Sequence, residues 1–183
     1  MTRPTARHIP IRLEGKLVIL RSKTFNDVNA DYQWRTDPEL AALDASTPLN
    51  MSLKEYARFH RDEISFPSPW SVRFGIDVEG SKFIGNCMYY DIDWNLKQAE
   101  LGIMIGNKDY WNFGYGTDAV VTLLEYVFTN TKLNCIYLHT LISNKRAQMA
   151  FRKAGFHYTK RVKRDDYLFQ RMEINRAFWD GQK

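Results

Sequence analysis

The sequence predicts a domain of the α+β class in which strands and helices alternate along the chain. Apolar side chains occupy every second position of Ser71–Val78 and of Ala99–Ile105, the period of a strand with one buried face. After Gly116 the period changes, and Val120, Val121 and Leu124 repeat as they do on one face of a helix. The 183 residues are consistent with one domain around one core.

The N-terminal third of the chain contains one strand pattern and two helix patterns. The first helix is expected to end before Pro38. Ser52 followed three residues later by Glu55 is a capping box, which predicts the start of the second helix. We expect a flexible basic arm over residues 1–12, followed by a single domain over residues 13–183. The first elements predicted in this domain are a strand at Leu17–Arg21, a helix at Thr24–Trp34 and a helix at Ser52–Ile64.

The rest of the chain continues with strands separated by two further helices. Either Ser143 or Asn144 is expected to cap the last helix, which Gly155 ends as a residue suited to the left-handed conformation. The predicted strands are Ser71–Val78, Lys82–Tyr90, Ala99–Ile105, Asn134–Ile142, and a closing hairpin of Phe156–Val162 and Tyr167–Glu173.

Composition excludes several classes of protein. A content of 44% hydrophobic and 26% charged residues is typical of a globular protein, and no apolar run has membrane-spanning length. The N-terminal residues lack the apolar centre of a signal peptide, so we expect a cytoplasmic protein. The net charge of +5 is spread along the chain, and its densest cluster, Lys160–Arg164, is followed by two aspartates, which favours a solvated face over a nucleic-acid site. Cys87 and Cys135 lack metal-type spacing and are expected to be buried free thiols.

The most specific feature is a glycine-bearing turn within Tyr110–Glu125, between a strand and a helix. The first N–H groups of a helix are unpaired and lie at the positive end of its dipole, so a turn of this kind suits a phosphate or pyrophosphate. A dinucleotide-binding fingerprint has the required spacing with Ala119 in its last position, but no βαβ unit surrounds it, and a Walker loop would need a lysine before Thr117. The alternative is a helix entry without a ligand.

A second motif lies in Asn144–Phe156, read NKRAQMAFRKAGF. Together with YWNFGYGTDA, one helix and one strand earlier, it resembles the GNAT family of N-acetyltransferases, in particular the branch with ribosomal-protein N-terminal and spermidine acetyltransferases. The resemblance extends from Leu13 to about Met172 and is strongest in Glu100–Phe156. It implies a mixed, mainly antiparallel seven-stranded sheet with helices on both faces.

The resemblance also implies acetyl-CoA as co-substrate, without a metal. The strands at Ala99–Ile105 and Asn134–Ile142 would be parallel neighbours that splay apart, and the pantetheine arm would enter the gap. Trp111 and Phe113 could instead be core residues, and Asn144 could serve only as a helix cap. The cofactor-binding residues that the resemblance implies are Ile103, Met104, Ile105, Trp111, Phe113, Gly114, Tyr115, Gly116, Thr117, Asn144, Ala147, Phe151 and Lys153.

Acetyl transfer to an amine requires a proton to be removed, and Glu100 is the candidate base. The alternatives for Glu100 are an exposed strand residue or an ion pair with an arginine. Asp91 and Asp93 are further base candidates, and His139 is expected to be a satisfied core histidine. Phe151 occupies the position where relatives carry a tyrosine as acid, so the thiolate would leave unassisted or take its proton from water or Tyr158.

These observations predict an acetyltransferase that transfers the acetyl group directly to a small-molecule or peptide amine: a protein α-amine, a polyamine, an amino sugar or an antibiotic amine. One alternative is an acyl-CoA-binding module without activity, consistent with Phe151; another is a basic nucleic-acid-binding protein, which is less consistent with the dispersed charge. No membrane partner is expected, and pairing as a homodimer through the late strands stays open. Acceptor-lining candidates are Tyr56, Arg58, His60, Trp70 and Tyr89.

Overall fold

The computed structural model describes residues 10–182, which form one eight-stranded sheet flanked by helices. The sheet order is β1-β2-β3-β4-β5-β6-β8-β7, in which β5 and β6 are parallel and the other described neighbours are antiparallel. The strands are β1 (Arg12–Glu14), β2 (Ile19–Ser22), β3 (Ser71–Val78), β4 (Lys82–Asp93), β5 (Gln98–Ile105), β6 (Cys135–Leu141), β7 (His157–Arg164) and β8 (Tyr167–Asn175).

Helices cover both faces of this sheet, as the sequence predicts. Two neighbouring residues of β4 contact helices on opposite faces, because successive side chains of a strand point to opposite faces of the sheet. Cys87 pairs with Phe74, whose ring contacts Tyr126 on the long helix α4, whereas the Asn86 side chain donates to Asp31 on α1. The helices are α1 (Val28–Thr36), α2 (Pro38–Leu43), α3 (Leu53–Ser65), α4 (Tyr115–Asn130), α5 (Lys145–Lys153) and α6 (Arg176–Asp180).

The predicted elements are present, with corrections near the N-terminus. The sheet has eight strands rather than seven, because the three-residue β1 pairs with β2 and is too short to show a pattern. Arg12 belongs to that strand, so the predicted arm over residues 1–12 is too long; its residues 1–9 lie outside the described part. The first helix ends before Pro38, as predicted, but a second helix that was not predicted begins at Pro38. Proline fits the first helical position, and the Asp37 carboxylate caps the new helix by accepting from two of its N–H groups.

A turn between β1 and β2 fixes the N-terminus of α4. The Asp118 carboxylate, in the first turn of α4, accepts hydrogen bonds of 2.7–3.2 Å from the N–H groups of Lys16, Leu17 and Val18. Gly15 is required for this approach, since a Cβ there would lie 2.5 Å from the Asp118 Oδ2 atom. The contact sets the position of the glycine turn relative to the sheet.

The parallel strands β5 and β6 separate after three residue pairs. Gln98, Ala99 and Glu100 pair with Cys135–Tyr137. Beyond these pairs β5 and β6 no longer pair with each other, although each keeps its partner on the other side, so the predicted splay is confirmed. Buried Gln148 of α5 satisfies the end of β6, because its Nε2 donates to the carbonyls of Leu141 and Ile142 at 2.9 and 3.0 Å. The gap is therefore stable without a strand partner.

Two kinds of feature are not found in the part of the chain that the structure describes. Among residues 10–182 no helix has the length and apolar character needed to cross a bilayer. Within the same residues, no three His, Cys, Asp or Glu side chains are grouped so as to hold a metal ion.

Candidate active site

One cleft of about 1290 Å³ extends from the start of α4, past the gap beside β5, to helices α1 and α3. It therefore connects the glycine turn with the side of the sheet that α1 covers. Many of the predicted cofactor-binding residues share this lining: Ile103, Met104, Ile105, Trp111, Gly114, Gly116, Thr117, Asn144, Ala147, Phe151 and Lys153.

The glycine turn forms one end of the cleft. Gly114 precedes the first residue of α4 and has φ of 92°, a left-handed conformation that glycine adopts without strain. Gly116 approaches β5, where an added Cβ would contact Ile105 at 3.6 Å. The first N–H groups of a sixteen-residue helix are thus presented to the cleft, which is the arrangement that binds phosphate groups.

Cationic side chains lie beside these N–H groups. The Arg146 guanidinium is 3.4 Å from the centroid of the Trp111 ring, and Trp111 is itself held by a 2.7 Å hydrogen bond from its Nε1 to the Ile105 carbonyl. Burial lowers the pKa of Arg146, so its charge is partly desolvated at the cleft. Lys153 lines the same end. The N–H groups and the two cations fit the phosphates of a CoA molecule in charge and hydrogen-bonding capacity.

Asn144, rather than Ser143, is the cap of α5. Its Oδ1 accepts from the Ala147 N–H at 3.2 Å, while the side chain also lines the cleft. The side-chain amide nitrogen is not used by this cap and can donate to a ligand.

Glu100 lies at the point where β5 and β6 separate, and it is buried. Its Oε1 is 2.8 Å from His139 Nδ1 on β6, and Tyr90 on β4, directly opposite in the strand pairing, has its phenol beside the carboxylate. Both alternatives considered for Glu100 are therefore wrong for residues 10–182: its side chain is buried, and no arginine in that range forms a salt bridge with it. Arg164 approaches the histidine instead, with Nη2 3.2 Å from Nδ1 and 3.4 Å from Nε2.

His139 is satisfied, as expected, but its partner is the candidate base rather than a core carbonyl. Nδ1 faces a carboxylate, so it carries the proton and donates to Glu100. Neither Glu100 nor His139 lines the cleft, whereas Tyr90, directly opposite Glu100 in the β4–β5 pairing, does. Burial, and then the nearby Glu100, raises the pKa of Tyr90 well above its usual range, so the phenol stays protonated.

The other proposed proton-transfer residues lie elsewhere. The Asp93 carboxylate accepts from the N–H groups of Asn95 and Leu96 at 2.9 Å, which makes it the cap of the β4–β5 turn. Asp91 is exposed and lies outside the cleft lining. Tyr158 is 50% exposed on β7 and also outside the lining, while Phe151 lines the cleft without a hydroxyl to donate.

Several predicted contact residues do not line the cleft. Phe113 is 70% exposed, and the Tyr115 ring packs on Tyr110 with centroids 5.1 Å apart. Tyr56 and His60 line the far end of the cleft. The other acceptor-lining candidates do not: Arg58, Trp70 and Tyr89.

Sequence reasoning missed a buried polar cluster that forms the wall between the sheet and α1. Lys23 Nζ lies 2.5 Å from both Asp31 Oδ2 and Asn86 Oδ1, and Asn86 Nδ2 donates to Asp31 Oδ1 at 2.6 Å. His60 Nε2 is 2.9 Å from the Thr24 carbonyl. Nothing in the spacing of these residues indicates that they meet, because they come from the loop after β2 and from three separate elements, α1, α3 and β4.

Asp44 is a different kind of carboxylate in the same cleft. It follows the last residue of α2, where the helix dipole disfavours an anion. Among the described residues it has no salt bridge within 4.0 Å, and burial raises its pKa although the side chain is accessible from the cleft. An accessible, weakly compensated carboxylate of this kind suits a cationic ligand.

Comparison with known proteins assigns the family. The sequence model of the Acetyltransferase (GNAT) domain matches residues 18–157, and the chain belongs to this family of acetyltransferases, which confirms the family predicted from the two motifs. An uncharacterized N-acetyltransferase of Bacillus licheniformis, p20, is 31% identical over 123 residues. That alignment covers 64% of this chain and 66% of p20, just under two thirds of its length.

Solved structures of the same fold extend over nearly the whole chain. A spermidine N-acetyltransferase from Vibrio cholerae, in complex with CoA and spermine, superposes with a TM-score of 0.79 at 20% identity, covering 89% of this chain and 98% of that one. An aminoglycoside acetyltransferase in complex with coenzyme A gives 0.74 at 20% identity, covering 90% and 98%. A GNAT-family acetyltransferase from Bacillus anthracis gives 0.76 at 16%, covering 91% and 99%.

Proposed function

We propose that this protein transfers the acetyl group of acetyl-CoA to a primary amine of a small cationic molecule. The observation that carries the proposal is the cleft that runs from an anion-binding helix N-terminus to Tyr90, which lies directly opposite Glu100 of the Glu100–His139 pair at the splay of β5 and β6. Family membership supports the same reaction.

In this proposal the chain holds the cofactor through residues at one end of the cleft. The N–H groups after Gly114, together with Arg146 and Lys153, bind phosphate groups, and the Asn144 amide donates to the pantetheine arm beside β5. Acetyl-CoA supplies the activated thioester when it is bound.

Transfer is proposed to be direct, with Glu100 as the base that takes the amine proton. The two thiols support this choice. Burial raises the pKa of the Cys87 thiol above its usual range, and burial, with a smaller effect of Glu173, raises that of Cys135 to about 11. Neither is therefore a thiolate near neutral pH, so an acyl-cysteine intermediate has no activated nucleophile.

The acceptor is proposed to carry a second positive charge. Asp44 is accessible in the same cleft and has no salt bridge among the described residues, so it can bind an ammonium group distant from the one acetylated. Polyamines and amino-sugar antibiotics have this property. A protein α-amine or a singly charged amine is the competing outcome.

The first test is thermal denaturation with acetyl-CoA, CoA and NAD compared side by side. A ligand present at 100 times its Kd adds about 2.7 kcal/mol to the free energy of unfolding, which raises Tm by several degrees. We expect both CoA forms to stabilise the protein and NAD not to. No shift with either CoA form at millimolar concentration would contradict the proposed cofactor.

The second test is a thiol-release assay with acetyl-CoA and an amine panel: spermine, an aminoglycoside, glucosamine and a peptide with a free α-amine. Turnover with the multiply charged amines supports the proposal. Because Phe151 cannot donate a proton, the alternative of an acyl-CoA-binding module also has support, and CoA binding without turnover on the whole panel would favour it.

A further inference from the structure

Glu100 has no direct exposure to the cleft, so a proton from the acceptor must reach it through another group. Tyr90 is placed between them: its side chain lines the cleft, and it lies directly opposite Glu100 in the β4–β5 pairing, with its phenol beside the carboxylate. His139 occupies another side of the same carboxylate and does not line the cleft.

The local backbone accounts for the position of Tyr90. An added Cβ at Gly102 would lie 3.2 Å from the Tyr90 Cε1 atom, so the ring lies over a strand position that has no side chain. The β4–β5 register shifts immediately after Tyr90, where Asp91 has φ of 50°. Bulges of this kind redirect side chains next to functional sites.

We propose that Tyr90 is a catalytic residue that relays a proton from the acceptor ammonium to Glu100. This proposal rests on the acetyltransferase function proposed above. As the ammonium gives a proton to the Tyr90 oxygen, the hydroxyl proton passes to Glu100, so the tyrosine is neutral before and after. The amine then attacks the thioester carbonyl, the C–N bond forms, the C–S bond breaks, and the departing thiolate takes a second proton from nitrogen, which leaves the amide N–H. Glu100 releases its proton to solvent by the reverse path.

A concerted relay agrees with the surroundings of Tyr90. A free tyrosinate is disfavoured there by burial and by the Glu100 charge, and the relay never forms one. The phenylalanine at position 151 does not block this step, because the departing thiolate takes its proton from the attacking nitrogen and not from a side chain. The titratable and charged groups that surround the pair are Asp44, Asp91, Tyr137, His139, Arg164 and Arg171.

The test compares Tyr90→Phe with Tyr89→Phe, which removes the same hydroxyl one residue away on the core face. Turnover is measured by thiol release from acetyl-CoA with spermine between pH 6 and 10. We expect Tyr90→Phe to lower kcat/KM about 100-fold near pH 7, a typical size for lost acid–base assistance, and much less near pH 10, where the amines are partly deprotonated. Tyr89→Phe is expected to keep the wild-type pH profile, and the CoA-induced shift in Tm is expected in both variants.

Other results would overturn the relay. A Tyr90→Phe rate equal to wild type at every pH would do so, and so would a loss of the same size at every pH, which indicates packing. Gly102→Ala keeps the hydroxyl but displaces the ring, and it is expected to show the same pH-dependent loss. If the wild-type chain turns over no amine of the panel, the acetyltransferase proposal itself fails, and the relay with it.

Discussion

At the scale of single residues, the proposed chemistry depends on a buried carboxylate with two dissimilar neighbours. His139 donates a hydrogen bond to Glu100, while Tyr90 lies directly opposite it in the strand pairing and lines the cleft. A buried carboxylate is stabilised by such donors, and the same donors keep it oriented.

The first prediction concerns the base. Glu100→Gln is expected to lower kcat/KM at neutral pH by 100-fold or more, with a smaller loss at high pH, because the amide cannot accept the amine proton. Thiol release with spermine at several pH values measures it. Glu173→Gln on β8, which removes a half-buried carboxylate bonded to Arg171, is the matched control. An unchanged rate and profile in Glu100→Gln would remove this residue from the mechanism.

The second prediction concerns the thiols. A double variant, Cys87→Ala with Cys135→Ala, is expected to retain kcat within a few-fold, because burial keeps both thiols protonated. A lower Tm is expected, since Cys87 is buried in the core. Mass spectrometry of wild type mixed with acetyl-CoA should show no acetyl adduct. Loss of turnover in a folded double variant, or an adduct on either cysteine, would point to an acyl-enzyme.

Residue-level prediction from the sequence rests on positions where a backbone conformation or a place in a strand is decisive. Gly114 does precede α4 and Glu100 does lie where β5 and β6 separate, while their roles in binding and catalysis stay predictions. Tyr90 could not be found in this way. Its importance depends on the cross-strand register and on the absence of a side chain at Gly102, neither of which a local pattern contains.

At the scale of elements, the end of the cleft proposed to hold the cofactor is built from the N-terminal turns of α4 and α5. The first turn of α5 has basic residues that oppose its own dipole, and the structure shows one of them, Arg146, stacked on Trp111 beside the glycine turn. A cation held there favours an anionic ligand.

The third prediction tests that arrangement. Arg146→Ala is expected to weaken CoA binding about tenfold, because one charge-assisted hydrogen bond is worth roughly 1.5–3 kcal/mol, part of which the neighbouring N–H groups retain. Calorimetric titration with CoA at low and high salt measures it, and the difference should decrease as salt rises. Arg152→Ala, an exposed cation in the last turn of the same helix, is the control. Equal effects of the two variants would mean that only net charge matters.

Prediction of elements succeeded where a hydrophobic pattern extends over many residues, and it failed where an element is only a few residues long. The strand at Ser71–Val78 was predicted to the residue, and the capping box at Ser52 is present. Missing from the prediction were β1, α2 and α6, of three, six and five residues. Pairing and packing stabilise elements of this length, so their local sequence shows little.

At the scale of the whole molecule, buried ion pairs join segments that are distant in sequence. The Arg21 guanidinium forms two bonds to Asp27, of 2.7 and 2.8 Å, and its Nε donates to Asp77 on β3 at 2.8 Å. Lys23, two residues later, joins the network of α1 and β4. The helices that border the acceptor end are therefore attached to the sheet by charges as well as by apolar contacts.

The last prediction concerns the acid stability that this attachment provides. Burial opposes ionisation of Asp27, but hydrogen bonds from Arg21 and the Thr24 N–H outweigh it and hold its pKa below the usual range. A depressed pKa stabilises the fold fully above the unfolded-state pKa, near 4, and this stabilisation is lost as pH falls toward the folded-state value. Asp27→Asn should thus reduce the free energy of unfolding at pH 7, since removing one member of a buried pair is strongly destabilising. The expected loss is about 2–3 kcal/mol, because Asp77 still pairs with Arg21 in the variant.

Urea unfolding at pH 7, 5, 4 and 3 should show the difference from wild type shrinking below about pH 4, whereas exposed Asp62→Asn should show little difference throughout. A gap that persists unchanged at pH 3 would assign the stability to the shape of the Asp27 side chain and not to its charge.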